Sequence, residues 1–404
     1  MRDVLRNPAY AKLFSAQIVA LLGTGLLTVA LGLLAFDLAG GDAGVVLGVA
    51  LTIKMLAYVG AGPLLIAATS RVPRKTLLIG ADVIRAAIAL MLPLVGEVWQ
   101  IYVLIFVLQC ASATFTPAFQ AVIPEILPDE RQYTRALSLS RLAYDLESLL
   151  SPALAAALLL VMSYSNLFLG TVAGFVLSAA LVLATRFPAI ELERGSSFAE
   201  RLTRGVRVFG RHAELRALLA LNLAVAAPTA MVIVNTVVLV QERLGRPQAD
   251  VAILLAAYGA GSMLVALSLP RILDRIAERT VMLTGAAVVA IGLGGVAAGL
   301  AGEPPWALLL PLWAVLGAGN AAILTASSRL VRRNASTEER PAAFAAQFAL
   351  SHACFIITYP LAGIVGAALG LSWTALLLAA IAAIATVAAA ALWRTRSLVP
   401  SLVE

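Results

Sequence analysis

The sequence is poor in charge and in the side chains from which most catalytic centres are built. Only 13% of its 404 residues are Asp, Glu, Lys or Arg, whereas a typical soluble domain has about 25%. It contains two histidines, His212 and His352, which are far apart, and two cysteines, Cys110 and Cys354, which fall in apolar runs. We therefore expect no disulfide framework, no metal site and no cofactor.

Motifs of membrane-embedded enzymes and of ATP-driven pumps are missing as well. The sequence has no His-Glu-x-x-His, no nucleophile elbow and no phosphate-binding Walker turn. These absences disfavour an enzyme and direct drive by ATP.

Apolar length is what the sequence has in excess. Apolar residues form 61% of the chain, and the mean hydropathy is +0.95. A spanning helix needs about 20 mostly apolar residues, because lipid offers the backbone no hydrogen-bond partner. Twelve such runs occur, approximately at residues 10–38, 45–68, 76–95, 99–120, 134–162, 166–186, 216–241, 251–270, 280–300, 306–328, 341–369 and 371–393. The sequence thus predicts an all-α integral membrane protein with six helices, a linker and six more helices.

The positions of the cations predict the orientation. Of the 29 Lys and Arg residues, only Arg243 and Arg246 fall in loops on one side, and three others lie inside spans. Because cationic loops stay cytoplasmic, both termini are expected inside a bacterial-type plasma (inner) membrane. The pI near 9.8 then reflects topology and attraction to the inner leaflet, and no nucleic-acid partner is expected.

The polar centre of the chain predicts an amphipathic helix on the inner membrane surface. Ser197 and Glu200 fit a capping box at its start. Its apolar stripe consists of Phe198, Leu202, Val206 and Phe209, and its basic stripe of Arg201, Arg204, Arg207 and Arg211. The predicted domains are therefore a bundle at residues 1–186, a linker at 187–215 and a bundle at 216–404. A solvated linker without a specific role is the alternative.

The two halves look like copies of each other. The segment AYVGAGPLLIAATSRVPRK precedes the third span, and AYGAGSMLVALSLPRILDRIAER precedes the ninth. Each is a Tyr- and Gly-rich helix end that runs into a short basic turn. Repeated halves are how secondary transporters build a site between two rocking bundles.

These turns resemble the loop motif of the major facilitator superfamily, roughly Gly-x-Leu-Ala-Asp-Arg-x-Gly-Arg-Lys. The first copy keeps Arg71, Arg74 and Lys75, with Ser70 in place of Asp and Pro73 in place of Gly. The second copy keeps Asp274, Arg275 and Arg279. The resemblance implies the major facilitator fold, with twelve helices in two pseudo-repeated bundles.

A longer segment, PAFQAVIPEILPDERQYTRALSLSRLAYDLESLLSPALAAALL at residues 117–159, resembles the drug-exporter branch that includes macrolide and enterobactin exporters. There, Ser151-Pro152 and Ala155-Ala156 stand where the antiporter motif has Gly-Pro and Gly-Gly. The resemblance implies a secondary transporter that exports a small amphipathic molecule by proton antiport.

The basic turns are interpreted as a latch, in which charges at helix ends bias a two-state equilibrium. Without an acid at position 70, the first turn is expected to use Asp82. Membrane anchoring by positive charge alone is the alternative. The candidates for gating or salt bridges are Arg71, Arg74, Lys75, Arg85, Arg141, Asp274, Arg275 and Arg279.

Charges inside the spans mark the expected coupling site, because each is costly in lipid and needs a cavity or a partner. All seven fall in the first half of the chain: Asp37, Lys54, Asp82, Arg85, Arg141, Asp145 and Glu147. Asp82 with Arg85, and Arg141 with Asp145, have the spacing of pairs on one helix face.

Glu147 has no partner on its own helix, and Lys54 is alone on the second span. A lone carboxylate in a span is a candidate for reversible protonation, so Glu147 is the first candidate for proton coupling, followed by Asp145, Lys54 and Asp82. A salt bridge from Glu147 to a cation on another helix is the alternative. Asp37 lies near an outer helix end, where capping or solvation explains it.

In this superfamily the first, fourth, seventh and tenth helices line the substrate cavity. The polar candidates on them are Gln17, Thr24, Thr28, Gln109, Ser112, Thr116, Asn222, Thr229, Asn235, Asn320 and Thr325. So few polar groups in an apolar wall suit an amphipathic or lipophilic substrate. Each hydroxyl has the alternative of bonding to its own helix backbone.

The sequence therefore predicts a transporter, most simply a monomer, with a small amphipathic substrate, protons and the lipid bilayer as its partners. An importer or lipid flippase of the same fold, and a membrane sensor that transports nothing, stay open.

Overall fold

The computed structural model describes residues 2–69, 72–187, 198–302, 304–336 and 339–394, and within these ranges it contains helices, turns and no strand. The helices of the first half are α1 Pro8–Ala39, α2 Ala43–Leu56, α3 Arg74–Met91, α4 Val98–Ile126, α5 Glu130–Leu159 and α6 Ser165–Leu183. They are followed by α7 Phe198–Arg211, α8 Ala213–Val237, α9 Gln248–Leu273, α10 Glu278–Leu300, α11 Trp306–Asn334, α12 Arg340–Leu369 and α13 Leu371–Arg394. The predicted all-α membrane fold is confirmed.

Polar side chains define where several helices begin. The Asn7 side chain accepts hydrogen bonds from the backbone N–H groups of Ala9 and Tyr10 at 3.0 and 3.3 Å. Asp129 accepts from the N–H of Gln132 at 2.9 Å at the start of α5. Both satisfy N–H groups that have no partner inside the helix, so these residues fix the first turns of α1 and α5.

Ten segments of the described residues are long and apolar enough to cross a membrane. One of them, Pro8–Ala61, contains α1 together with much of α2. Helix α5 is not among the ten, since its first half carries charges and only Leu150–Leu159 forms an apolar stretch. The count of twelve spanning helices stays a prediction.

The helices group into two compact units. The first contains α1 to α6 together with Val240–Ala256, and the second contains α7, α8 up to Leu239 and the chain from Ala257 through α13. In the first unit α6 packs on α1 and α3, α3 on α4, and α1 on α5. In the second, α13 packs on α8 and α10, α10 on α11, and α8 on α12. The two units therefore repeat one packing scheme.

Small residues permit the closest of these contacts. A Cβ added to Gly174 of α6 would lie 2.6 Å from the carbonyl oxygen of Val19 on α1. Beside it, the hydroxyl of Thr171 donates a hydrogen bond to the carbonyl of Gly23 at 2.9 Å. Helices can approach this closely in lipid only where glycine removes the side chain.

The repeated Tyr-Gly segments differ by one residue, and the structure shows where it is accommodated. The first copy reads Ala-Tyr-Val-Gly-Ala-Gly from Ala57, and the second reads Ala-Tyr-Gly-Ala-Gly from Ala257. The extra residue, Val59, lies in a π-helical turn, Ala57–Ala61, after which α2 continues as Gly62–Ala68. Helix α9 has no such turn. A π-helical turn absorbs one inserted residue, so the flanking residues of both copies keep equivalent positions.

The linker forms a helix as predicted, but only part of its expected apolar stripe is buried. Helix α7 packs on α12, where a Cβ on Gly205 would lie 2.7 Å from Cβ of Ala346. Val208 and Phe209 are buried, whereas Val206 is exposed. Ser197, the predicted cap, lies outside the described residues.

Candidate functional site

Glu147 on α5 lies directly against α1. Its Oε1 atom is 2.6 Å from where a Cβ on Gly25 would be, and the side chain of Ser151, one turn further along α5, contacts the same glycine. Gly25 therefore creates the space that the carboxylate occupies. The Ser151 hydroxyl is fully buried and has no hydrogen-bond partner among the described residues.

Lys54 of α2 is the cation that faces Glu147. The two side chains interact electrostatically, and both are partly buried. The expectation that Lys54 is alone is therefore wrong, since spacing on one helix says nothing about a neighbouring helix. Opposite charges within a low-dielectric region attract each other strongly and compensate the cost of leaving water.

Asp82 and Arg85 form the pair that their spacing predicts, and they form it inside a closed network. Arg85 donates to Oδ1 of Asp82, and the Ser178 hydroxyl of α6 donates to Oδ2 at 2.7 Å. The Arg85 guanidinium lies between two rings, 4.2 Å from the centroid of Phe115 and 4.5 Å from that of Phe175. Both charged side chains are buried, so the network joins α3, α4 and α6.

Asp37 is satisfied at the end of α1. It is exposed, and the hydroxyl of Tyr164 donates a hydrogen bond to its Oδ2 at 2.7 Å. Burial and the Asp37 carboxylate raise the pKa of Tyr164, which precedes α6, to about 12. Tyr164 thus remains a donor at neutral pH. The side chains of Arg141 and Asp145, and all of Arg71, lie outside the described residues.

The first basic turn is held by other groups than Asp82, so that expectation is wrong. Arg74 forms an ion pair with Glu125 of α4. Lys75 donates to the carbonyl oxygens of Leu183 and Thr185 at 2.7 and 2.9 Å. It therefore caps the end of α6, where the helix dipole favours a cation.

The second half has a related cluster at the same helix ends. Arg333 of α11 lies 2.9 Å from Glu214 of α8 and 2.9 Å from Glu278 of α10. Asp274 and Arg275 are exposed in the turn between α9 and α10. Arg279, the third predicted residue of this turn, lies in the first turn of α10 and is partly buried.

The polar candidates of the first unit mostly bond within the protein. The Ser140 hydroxyl of α5 donates to Oε1 of Gln17 at 2.9 Å. The remaining hydroxyls bond to their own helix backbone, as the alternative reading has it; they are Thr24, Thr28, Ser112 and Thr116. Gln109 is buried.

The second unit repeats part of this pattern and adds to it. Asn222 and Gln347 exchange two amide hydrogen bonds, at 3.2 and 2.9 Å, between α8 and α12. Asn235 donates to the carbonyl of Ala362 at 3.2 Å. Thr325 is partly buried. These contacts join α8 to α12 as Gln17 and Ser140 join α1 to α5.

Two of the predicted cavity residues meet at a third that sequence reasoning missed. Asn320 of α11 donates to the hydroxyl of Thr229 at 2.9 Å and to that of Tyr258. Tyr258 belongs to the repeated Tyr-Gly segment, which was interpreted only as a helix end. Thr229, Tyr258 and Asn320 form a polar cluster of α8, α9 and α11.

An all-helical membrane protein made of two units with the same packing scheme has the architecture of a secondary transporter. A profile of the Major Facilitator Superfamily matches residues 13–245 and 218–402. The chain belongs to the Major Facilitator Superfamily and is a membrane transporter of that fold.

Curated relatives include two proteins named Macrolide efflux protein A. The one from Streptococcus pyogenes is 28% identical over 215 residues, which are 51% of this chain and 52% of that protein. The one from Enterococcus faecalis is 31% identical over 172 residues, 41% of this chain and 53% of that protein. The chain spans about half the length of the curated relatives it matches.

Solved structures share the architecture at low identity. The nucleoside transporter NupG superposes with a TM-score of 0.73 and 15% identity, covering 96% of this chain and 99% of that one. A bacterial homologue of the human lysosomal transporter Spinster, inward-facing and unoccupied, gives 0.75 and 13%, covering 96% of both chains. At these identities the likeness shows the fold alone.

Proposed function

We propose that this transporter exports small amphipathic or lipophilic molecules, drug-like compounds or siderophore-like metabolites, by proton antiport with alternating access. The bundles at residues 1–186 and 216–404 are its two moving parts, six spanning helices each. The contact of Glu147 with Gly25, opposite Lys54, is the observation that carries the proposal.

The site can compensate its carboxylate in two ways. In one state Lys54 balances the charge of Glu147, and in the other a proton on Glu147 does so and leaves the ammonium to other partners. Because an uncompensated charge in a span is costly, by at least about 2.5 kcal/mol at the helix centre, these two states exclude a third in which Glu147 is charged and alone. Alternate exposure of such a group to the two sides would move a proton inward for each substrate moved outward.

The relatives support the direction and the substrate class. Both are named for macrolide efflux, and macrolides are bulky amphipaths. The apolar composition of the spans and the small number of unpaired polar groups suit such substrates. We propose multidrug resistance as the physiological setting, with the protein monomeric in the inner membrane, both termini cytoplasmic and no enzymatic activity.

The test is transport by reconstituted protein in oriented vesicles, with and without a pH gradient, with a fluorescent amphipath as substrate. Glu147→Gln should abolish gradient-driven transport and leave substrate counterflow, which needs no net proton movement. Glu242→Gln, the same change at an exposed position, is the control.

Gradient-driven transport by Glu147→Gln at the wild-type rate would remove Glu147 from the coupling step. Uptake in the direction opposite to export would support an importer or flippase, and absence of movement across a broad compound set would support a sensor.

A further inference from the structure

One face of α12 carries a row of aromatic rings that the proposed proton step does not use. Phe348 and His352 have ring centroids 4.0 Å apart, His352 and Phe355 are 6.3 Å apart, and Phe355 and Tyr359 are 5.0 Å apart. The intervals of four, three and four residues place all the rings on one stripe of the helix. We call these four residues the aromatic ladder.

The ladder is separate from the aliphatic exposed face of the same helix. Ile357 and Ile364 are 60% and 54% exposed, and their spacing of two helical turns places them on one face. Phe348 is 44% exposed and lies half a turn from that face, since each residue advances about 100° around the helix. The isoleucines suit lipid, so the opposite, aromatic face is the one available to a ligand.

The ladder ends beside the polar cluster of Thr229, Tyr258 and Asn320. Tyr359 is buried and interacts electrostatically with Tyr258. The Thr229 hydroxyl donates to the carbonyl of Val225 at 2.9 Å, so it can only accept from Asn320. This fixes the orientation of the Asn320 amide, with its nitrogen toward the two hydroxyls.

The other end of that amide has no partner. Asn320 is 2% exposed, and its Oδ1 atom is buried without a hydrogen bond among the described residues. A buried acceptor without a donor is unfavourable. Asn235 also has a free Oδ1, but there Gly366 of α12 closes the space, since a Cβ on that glycine would lie 2.9 Å from the oxygen.

We propose that the aromatic ladder and Asn320 form a ligand site for an amphipath with a hydrogen-bond donor. The apolar or aromatic body lies along the rings, and an O–H or N–H group of the ligand donates to Oδ1 of Asn320. Stacking on rings tolerates many body shapes, while the single acceptor selects ligands that carry a donor. The site rests on the proposed function, because it names the substrate class that the transporter takes.

The test uses two probes that differ only in the donor, nonylphenol and its methyl ether nonylanisole. Binding is measured by titration of the full-length protein in lipid nanodiscs, with empty nanodiscs subtracted. Wild type should bind nonylphenol about tenfold more tightly, the worth of one hydrogen bond in a dry site. Asn320→Leu should bind both probes equally.

Two further variants separate the parts of the site. Phe355→Leu should weaken both probes by the same factor and keep their ratio. Thr236→Val is the matched control, because it removes a buried hydrogen bond between the same helices, from Trp313 to Thr236 at 3.0 Å, away from the ladder. It should keep the tenfold preference.

Equal affinity of wild type for the two probes, no saturable binding of either, or a preference that survives in Asn320→Leu would each overturn the proposal. The comparison of probes on wild type needs no variant, so it stands even if Asn320→Leu does not fold. Export is measured separately. Failure of the donor preference with intact gradient-driven export overturns only this site, whereas the preference without any export overturns only the proposed function.

Discussion

Arg74, the first residue of α3, forms an ion pair with Glu125, the penultimate residue of α4. The second half has the corresponding bridge with the charges exchanged. There Glu278 is the first residue of α10 and Arg333 the penultimate residue of α11, 2.9 Å apart. The repeat thus preserves a bridge between two helix ends while the acid and the base have changed places.

Charge exchange should restore the first bridge. Arg74→Glu alone places two acids together and should lower the midpoint of thermal unfolding in detergent, whereas Arg74→Glu with Glu125→Arg should return it close to wild type. The pair is partly exposed, so the difference corresponds to about 0.2–1 kcal/mol. An equal loss in the single and the double variant would show that the bridge contributes nothing.

The same exchange should fail in the second half. Arg333 also binds Glu214 at 2.9 Å, so Arg333→Glu with Glu278→Arg leaves an acid facing Glu214. We expect this double variant to unfold at a lower temperature than wild type by calorimetry. Full recovery would mean that Glu214 does not interact with position 333 in the membrane protein.

Gly25→Ala should disable the coupling site by displacing Glu147. The added Cβ would be 2.6 Å from the carboxylate oxygen, closer than van der Waals contact permits, so the side chain must move away. The initial rate of gradient-driven export should fall at least about tenfold, the effect of some 1.4 kcal/mol. Gly32→Ala on the same helix is the control, because its Cβ would meet only Leu47, at 3.9 Å.

The order of effects checks the cause. In a Glu147→Gln background, which should already lack gradient-driven export, Gly25→Ala should cause no further loss. An additional loss of counterflow in that background would indicate that the alanine disturbs the packing of α1 and α5 rather than the carboxylate.

Lys54 and Glu147 should be energetically coupled. Lys54→Met leaves the carboxylate without its compensating cation and should destabilise the protein, while Lys54→Met combined with Glu147→Gln removes both charges and should recover much of the loss. The coupling from a double-mutant cycle of unfolding free energies is expected at about 0.5–3 kcal/mol. Additive effects would show that the two side chains do not interact.

Contacts within one helix could be read from the sequence, and contacts between helices could not. The spacing of Asp82 and Arg85 predicts their pair, and Glu147 was recognised as lacking a partner on its own helix. Its facing cation, Lys54, depends on how α2 and α5 pack, for which one sequence gives no spacing. Thr229 and Asn320 were assigned to one cavity from the resemblance, yet their meeting with Tyr258 follows only from the packing of α8, α9 and α11.

Two signals in the sequence were present and went unread. The residue added at Val59 in the first Tyr-Gly segment predicts a π-helical turn once the copies are aligned. The intervals of the aromatic ladder on α12 predict a continuous ring surface. Both are local patterns, so they could have been found without the structure.

Deletion of Val59 should be tolerated for folding. It converts the π-helical turn Ala57–Ala61 into regular α-helix and leaves the flanking residues in register. Deletion of Ala260 in α9, which has no π-helical turn to absorb it, rotates the rest of that helix by about 100°. Size-exclusion profiles and thermal unfolding should show a folded protein in the first case and aggregation in the second. Aggregation of both variants would contradict this account of the turn.

The Asp82–Arg85 network allows a decision between a structural and a coupling role for Asp82. Arg85→Ala strands a buried carboxylate and should cost about 3–5 kcal/mol of unfolding free energy. Arg85→Lys keeps the charge but cannot place a planar group between the rings of Phe115 and Phe175, so it should be destabilised as well.

The neutral double variant Asp82→Asn with Arg85→Met should fold better than Arg85→Ala, because no charge is left unpaired in the core. If the network only joins α3, α4 and α6, this variant should also keep gradient-driven export in vesicles. A variant that is folded by thermal unfolding and retains counterflow, yet no longer responds to the pH gradient, would instead assign proton coupling to Asp82 alongside or in place of Glu147.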